Sequence, residues 1–220
     1  MDKAKQEAGY RAADQVRDGM IIGIGTGSTV LYAMERISER IREEKLAVAG
    51  VPTSYQAAYR AVEMGIMLTS LDAHPKLDLA IDGADQIDPA KRMIKGRGAA
   101  HLREKCVADA AETFIVVVDD SKCVSILNGP VPLEVLPFAC MPVIKRINDL
   151  GGSALIRNGS GKDGPVISDN GNFILDCTFG EIRSPEELEQ NIANVPGVVE
   201  SGLFTRYTGK TMVIVGAKKS

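Results

Sequence analysis

Histidine is scarce in this 220-residue chain: only His74 and His101 occur, far apart. Without an HExxH motif or a Cys/His cluster, little is present to hold a catalytic metal. The four cysteines, Cys106, Cys123, Cys140 and Cys177, stand singly and form no CxxC pair. They read as small apolar residues of a reducing compartment. No basic stretch is present either; the net charge is −3, which argues against a nucleic-acid partner and leaves the charges as a solvated surface. No apolar run is long enough to span a bilayer. The N-terminal MDKAKQEA is charged and helical in character and lacks the apolar segment of a signal peptide. These absences point to a cytoplasmic protein with no membrane partner. A G-x-S-x-G elbow is missing too, so a triad hydrolase lacks support.

What is present is an ordinary globular balance, 45% hydrophobic and 25% charged. The length suits one large α/β domain, or a medium domain with a small companion. Met20–Gly25 reads as a strand ending in glycines. Residues Thr29–Glu44 carry a helical face of Leu31, Met34, Ile37 and Ile41. Leu46–Pro52 reads as a strand, and Ser54 as the cap of a helix running to Gly65. Met67–Leu71 and Leu77–Ile81 follow as strands, Ala99–Glu112 as a helix and Phe114–Val118 as a buried strand. Apolar strands separated by helices predict a mostly parallel sheet covered on both faces.

The pattern changes near Asn128-Gly129-Pro130. Strand (Leu133–Phe138), helix (Val143–Leu150), strand (Ala154–Arg157), strand (Phe173–Phe179), helix (Pro185–Asn194) and strand (Val198–Phe204) give the split βαβ order of ferredoxin-like folds. Asp169-Asn170-Gly171-Asn172 suits a turn between the paired strands. Ser184-Pro185-Glu186-Glu187 supplies a capping residue, a first-turn proline and first-turn acids. Thr211–Val215 is expected to return to the large sheet. The expected division is therefore 1–129 with 205–220, and 130–204.

Four segments carry chemistry, each just after a strand, where open α/β sheets bind ligands. Gly23-Ile24-Gly25-Thr26-Gly27-Ser28-Thr29 offers close backbone approach, three hydroxyls and a following helix N-terminus, a fit for phosphate. The alternative is a plain strand-to-helix turn. A dinucleotide fingerprint fails, because Ser28 or Val30 stands where the third glycine belongs and no acid follows the next strand at Val51-Pro52-Thr53-Ser54; the Walker pattern fails too. Asp82-Gly83-Ala84-Asp85 places two acids where they can converge for proton transfer, or act as a cap, a turn or metal ligands. Asp88 is assigned to the turn before Pro89. Lys95-Gly96-Arg97-Gly98 is a glycine loop entering a helix that carries His101 and, about two turns in, Glu104. Glu104 is open to the reading of a surface acid paired with a neighbouring cation, His101 to that of a packing residue, and Arg97 to that of a solvated charge. Asp119-Asp120-Ser121-Lys122 brings Lys122 to the same sheet edge, either to meet an anion or to stay solvated.

Together the blocks GIGTGST, DGAD, KGRGAAHLREK and DDSK, with PVPLEVLPFA, ISDNGNFILDCTFG and PGVVESGLF, closely resemble the type A ribose-5-phosphate isomerases over nearly the whole chain. The resemblance implies a Rossmann-like domain with a smaller inserted α/β domain, a homodimer or homotetramer, and no cofactor. It implies aldose–ketose isomerisation of ribose 5-phosphate and ribulose 5-phosphate in the pentose phosphate pathway. By match to the family motifs, Thr26, Gly27, Ser28 and Thr29 line the sugar-phosphate site, as do Asp82, Gly83, Ala84 and Asp85. Lys95, Gly96, Arg97 and Gly98 form a third wall, with Lys122 a further contact. Lys5 matches an N-terminal lysine near the phosphate, and Glu104 the catalytic proton acceptor; Asp82, Asp85 and Lys95 are expected to act beside it, on ring opening, hydroxyl orientation and the enediolate charge. Two departures stand out: Arg97 where the family often has a glycine, and His101-Leu102 where small polar or apolar residues are usual. Rival readings are a sugar-phosphate sensor, an aminosugar deaminase or another aldose–ketose isomerase, and, last, a nucleotide-dependent oxidoreductase.

Overall fold

The structure, a computed structural model, describes residues 2–216. In chain order the elements are α1 (Asp2–Ala13), β1 (Ile21–Ile24), α2 (Ser28–Glu44), β2 (Ala49–Pro52), α3 (Tyr55–Glu63), β3 (Met67–Leu68), β4 (Leu77–Asp82), β5 (Gln86–Ile87), β6 (Met93–Ile94), α4 (His101–Ala110) and β7 (Ala111–Asp119). They continue with β8 (Val131–Val135), α5 (Cys140–Asp149), β9 (Ser153–Ile156), β10 (Phe173–Thr178), α6 (Pro185–Ala193), β11 (Val198–Ser201), β12 (Leu203–Phe204) and β13 (Thr211–Gly216). The chain divides into two compact units. One runs through Ala84, resumes over Arg103–Cys123 and resumes again from Tyr207; the other comprises Asp85–Leu102 and Val124–Arg206.

The first unit is built on a six-stranded sheet in the order β13-β7-β4-β1-β2-β3. Every pairing in it is parallel, as the unbroken apolar runs predicted. Alternation along β1 explains the layering. Ile22 and Ile24 join a core with Ala8 and Ala12 of α1, Met34 and Ile37 of α2, and Ala57 and Ala61 of α3. Gly23, between them, faces Val107 of α4, where an added Cβ would come within 2.3 Å. The buried stripe of α2 is Val30, Ala33, Met34 and Ile37; Leu31 and Ile41 pack at its margin. Ser54 caps α3 as expected, accepting from the Ala57 amide at 3.0 Å.

The second unit holds a four-stranded antiparallel sheet, β11-β8-β10-β9, and a three-stranded one, β12-β6-β5. In the larger sheet the first strand in sequence lies between the third and the last, which is the ferredoxin-like arrangement. Val143 and Ile147 of α5 and Ile192 of α6 pack with Leu133, Val135 and Leu175.

Several boundaries differ from the sequence reading. The helix expected over Ala99–Glu112 starts at His101, because Ala99 adopts a left-handed φ of 58°, a conformation that costs a non-glycine residue energy and cannot continue a helix. Its end is overtaken by β7, which pairs from Ala111 onward. The expected strand Leu133–Phe138 stops at Val135, and Pro137–Ala139 form a 3₁₀ turn. The expected strand Val198–Phe204 is two strands in different sheets. They part at Gly202, whose amide donates to Pro132 O (2.7 Å) and whose carbonyl accepts from Lys95 N (2.8 Å). The turn at 168–172 joins the bridged residues Ile167 and Phe173 rather than β9 directly to β10. Ser184 sits at the cap of α6, but its side chain makes no cap bond. The short strands β5 and β6 have no counterpart in the sequence reading, since two residues carry no periodicity.

Cys140 and Cys177 are buried, whereas Cys106 and Cys123 are exposed. Burial, aided by the Asp176 charge, pushes the Cys177 thiol up to about 12, where almost no thiolate exists at neutral pH. A maleimide titration of native protein should therefore modify Cys106 and Cys123 only, with Cys140 and Cys177 reacting after denaturation. Rapid native labelling of Cys177 would contradict this packing.

Candidate active site

In the first unit the site begins at the carboxyl end of β1. Gly25 lies against β4: a Cβ there would come within 2.2 Å of the Asp82 carboxyl carbon. Asp82, the last residue of β4, is 2% exposed. Its Oδ1 accepts from the amides of Gly83 (2.7 Å) and Thr26 (3.3 Å), which offsets part of the cost of burying a carboxylate. The Thr26 hydroxyl is tied to those of Thr53 (3.0 Å) and Ser54 (2.7 Å). Thr53 and Ser54 went unnoticed in this role, because the partners sit on separate loops and share no spacing signal.

Gly27 caps α2 without a side-chain bond, and no acid occupies its first turn. The helix therefore presents amides and the positive end of its dipole, about half an elementary charge. Ser28 is exposed there, and Lys5 Nζ donates to its hydroxyl at 3.0 Å. Asp119, ending β7, is 4% exposed. Its carboxylate accepts from the Ser121 amide at 3.0 Å and from the Ser121 hydroxyl. The Ser121 hydroxyl bond, with the Ser121 amide and then the charges of Lys122 and Lys5, holds the Asp119 carboxyl below its ordinary range. Lys5, Ser28, Asp119 and Lys122 are thus brought together, although they come from α1, α2 and the end of β7. Such a set, one helix N-terminus and two lysines, suits a phosphate ester.

Glu104 also belongs to the first unit. It lies in the first turn of α4 rather than two turns in, and it is 5% exposed. The surface-acid reading is therefore excluded. A carboxylate at this helix end faces a favourable dipole.

The second unit holds Asp85 and the 95–98 loop. Asp85 Oδ2 accepts from the Arg97 amide at 2.9 Å. Asp82 and Asp85, three residues apart, therefore grip different loops. Lys95 is 3% exposed, its amide is bound to Gly202 O and its Nζ lies 5.5 Å from the centroid of Phe204, a cation–π distance. Arg97 and Gly98 are exposed, and His101 is fully buried as a packing residue. Asp88 closes its turn as expected, with Oδ1 accepting from Arg92 N at 2.9 Å and Oδ2 from Arg92 Nε at 2.6 Å. Among the described residues no group of three His, Cys, Asp or Glu is placed to hold a metal ion.

Residues 49–220 match the family described as Ribose 5-phosphate isomerase A (phosphoriboisomerase A). The chain is 62% identical over 216 residues to the ribose-5-phosphate isomerase A of Methanoregula boonei, covering 98% of this chain and 91% of that protein. It is 50% identical to that of Methanothermobacter thermautotrophicus, covering 98% and 94%. Among solved structures, ribose 5-phosphate isomerase A from Methanocaldococcus jannaschii matches with a TM-score of 0.93 at 44% identity, covering 98% and 95%. A D-ribose-5-phosphate isomerase solved in complex with phospho-erythronic acid matches with a TM-score of 0.93 at 43% identity, covering 97% and 93%.

The depressed Asp119 carboxyl fixes the sign of a pH effect. Its stabilisation is present above the unfolded-state value, about 3.9 for aspartate, and is lost as pH falls through the lower folded value. Asp119→Asn should cost roughly 1.5–3 kcal/mol at pH 7, the worth of a hydrogen bond to a charged group. Urea unfolding of both proteins at stepped pH should show that gap shrinking below about pH 4. A gap independent of pH would remove the ionised Asp119 from this account.

Proposed function

The chain belongs to the ribose 5-phosphate isomerase A family, and on that premise we propose that it interconverts D-ribose 5-phosphate and D-ribulose 5-phosphate through an enediolate, with Glu104 as the base. The observation that carries this reading is the burial of Glu104 at the first turn of α4. A solvated helix acid needs no such placement, whereas a proton-transfer base must be held and kept from water.

The phosphate is anchored by the amides of α2, Ser28, Thr29, Lys5 and Lys122. Anchoring one end orients the sugar and supplies part of the rate. Asp82 moves a proton between the ring oxygen and the anomeric hydroxyl, opening the furanose. Glu104 then takes the C2 proton and returns it to C1. The intermediate carries negative charge on oxygen, which Lys95 stabilises, with Asp85 orienting hydroxyls or the lysine. A buried ammonium stabilises such charge more strongly than a solvated one. The ligand of the solved relative supports this chemistry: a phosphorylated sugar acid has both a phosphate and a planar, anionic carboxylate that resembles an enediolate. No metal or organic cofactor enters these steps. The family resemblance further supports a homodimer or homotetramer working in the cytoplasm, in the pentose phosphate pathway.

The test is conversion of ribose 5-phosphate to ribulose 5-phosphate in excess EDTA, with wild type and Glu104→Gln side by side. Wild type should turn over. Loss of the base should lower kcat by at least roughly 10²–10⁴-fold, while inorganic phosphate still binds. A Glu104→Gln rate within twofold of wild type would refute the assigned base. Binding of ribose 5-phosphate without turnover by wild type would favour a sensor, and ammonia release from an aminosugar phosphate a deaminase.

A further inference from the structure

The 95–98 loop contains two glycines and should be loose on its own. In the second unit it is instead held by a residue distant in sequence. Arg157, immediately after β9, donates from Nη1 to the carbonyls of Gly96 (3.0 Å) and Arg97 (2.9 Å). Its other edge is occupied by Asp176 of β10, with Nε to Oδ2 at 2.9 Å and Nη2 to Oδ1 at 2.5 Å. That two-point grip fixes the plane of the guanidinium. The backbone of Arg157 is fixed as well, since its amide donates to Ile174 O (2.8 Å) and its carbonyl accepts from Val166 N (2.7 Å). The Arg157 side chain is only 16% exposed and that of Asp176 35%.

The geometry of a trans peptide makes this consequential. A carbonyl and the amide of the next residue point in opposite directions. Holding the Gly96 and Arg97 carbonyls on Arg157 turns the Arg97 and Gly98 amides away from it. The Arg97 amide is found on Asp85, and the amide of exposed Gly98 is turned away from Arg157 by the same geometry. At the start of the loop, Lys95 is pinned by Gly202 and lies beside Phe204. The loop is therefore a fixed element: the Ala99 amide closes a turn on Gly96 O at 3.0 Å, Asp85 takes the Arg97 amide, and Arg157 holds both carbonyls from a distant part of the chain.

We propose that Arg157, locked by Asp176, is a positioning residue for catalysis: it fixes the 95–98 loop so that Lys95 and the Gly98 amide meet the reacting end of the sugar in one geometry. This rests on the isomerase reading, in which that loop lines the substrate. Arg157 and Asp176 are assigned no contact with the sugar, since the guanidinium faces the loop carbonyls and the Asp176 carboxylate. A positioning role loads the loss on kcat, because the phosphate grip at α2 and Lys5 is left intact.

The experiment measures ribose 5-phosphate isomerisation by wild type, Arg157→Ala, Arg157→Lys and Asp176→Asn, with thermal unfolding of each. Arg157→Ala should lose about 10²-fold in kcat with KM changed by less than about threefold, since that end of the substrate keeps its orienting contacts. Lysine lacks the planar fork and should restore only part of that loss. Guanidinium ion added at millimolar concentration should restore part of the Arg157→Ala rate and none of the Glu104→Gln rate. If Arg157→Ala fails to fold, Arg157→Lys and Asp176→Asn decide by the same kcat criterion. Folded Arg157 variants with kcat within twofold of wild type overturn the positioning role alone. A loss confined to KM overturns it too. Wild type that does not isomerise ribose 5-phosphate overturns the underlying reading, and this proposal with it.

Discussion

A carboxylate taken out of water must be surrounded by donors, and the arrangement of the candidate site follows from that demand at Asp82. It ends the central strand β4 at 2% exposure. Its donors are the amides of Gly83 and Thr26, so the glycine loop after β1 is drawn onto the end of β4. The fit is tight enough that Gly25 has no room for a Cβ. Once the loop is fixed there, α2 starts at Ser28 with its amide end uncapped by any side chain, and Lys5 of α1 reaches that end. Removing the Asp82 carboxylate would therefore loosen the glycine loop that it holds.

The same device recurs along the chain. Asp85 takes the Arg97 amide, Asp88 the Arg92 amide and Asp119 the Ser121 amide. Asp85 and Asp88 flank the short strand β5, Asp119 ends the long strand β7, and each ties down a loop amide. Acids in such loops thus have a structural use whether or not they carry chemistry. This explains why the DGAD motif alone does not separate a catalytic reading from a turn reading. Glu104 differs in its place, buried on a helix rather than in a loop.

Cations follow a complementary pattern. Arg92 spans Asp88 and Glu186, and Arg157 spans Asp176 and two loop carbonyls. Both guanidinium groups are largely shielded from water, Arg92 at 25% and Arg157 at 16% exposure, so each pair holds its partners in one orientation. Arg supplies several donors in one plane, which lets one side chain brace a loop from the opposite side to the acid that holds its amides. The loop at 95–98 has both, Asp85 on an amide and Arg157 on the carbonyls.

Much of this was legible in the sequence, for identifiable reasons. Apolar runs such as FIVVV and LAI are set by local side-chain chemistry, so the parallel sheet and the ferredoxin-like order could be read from them and from the helices between. The glycine loop, the Ser54 cap and Asp82 and Lys95 as candidates follow from residue type and spacing, whereas Glu104 became a candidate through the family resemblance. Other features were decided by tertiary structure alone. The left-handed turn at Ala99 moved the start of α4 and so the depth of Glu104 in it. Gly202 split one expected strand between two sheets, because its partners Pro132 and Lys95 lie far away in the chain. The ties of Thr26 to Thr53 and Ser54, of Lys5 to Ser28, and of Arg157 to the 96–97 carbonyls join residues with no common periodicity. Sequence by itself determined which segments form helix and strand and which residue types stand at the sheet's carboxyl edge, since those depend on neighbours a few positions away. Only the folded chain decided which of those groups are buried, which are held and by whom, since hydrogen bonding and desolvation depend on atoms that folding brings close.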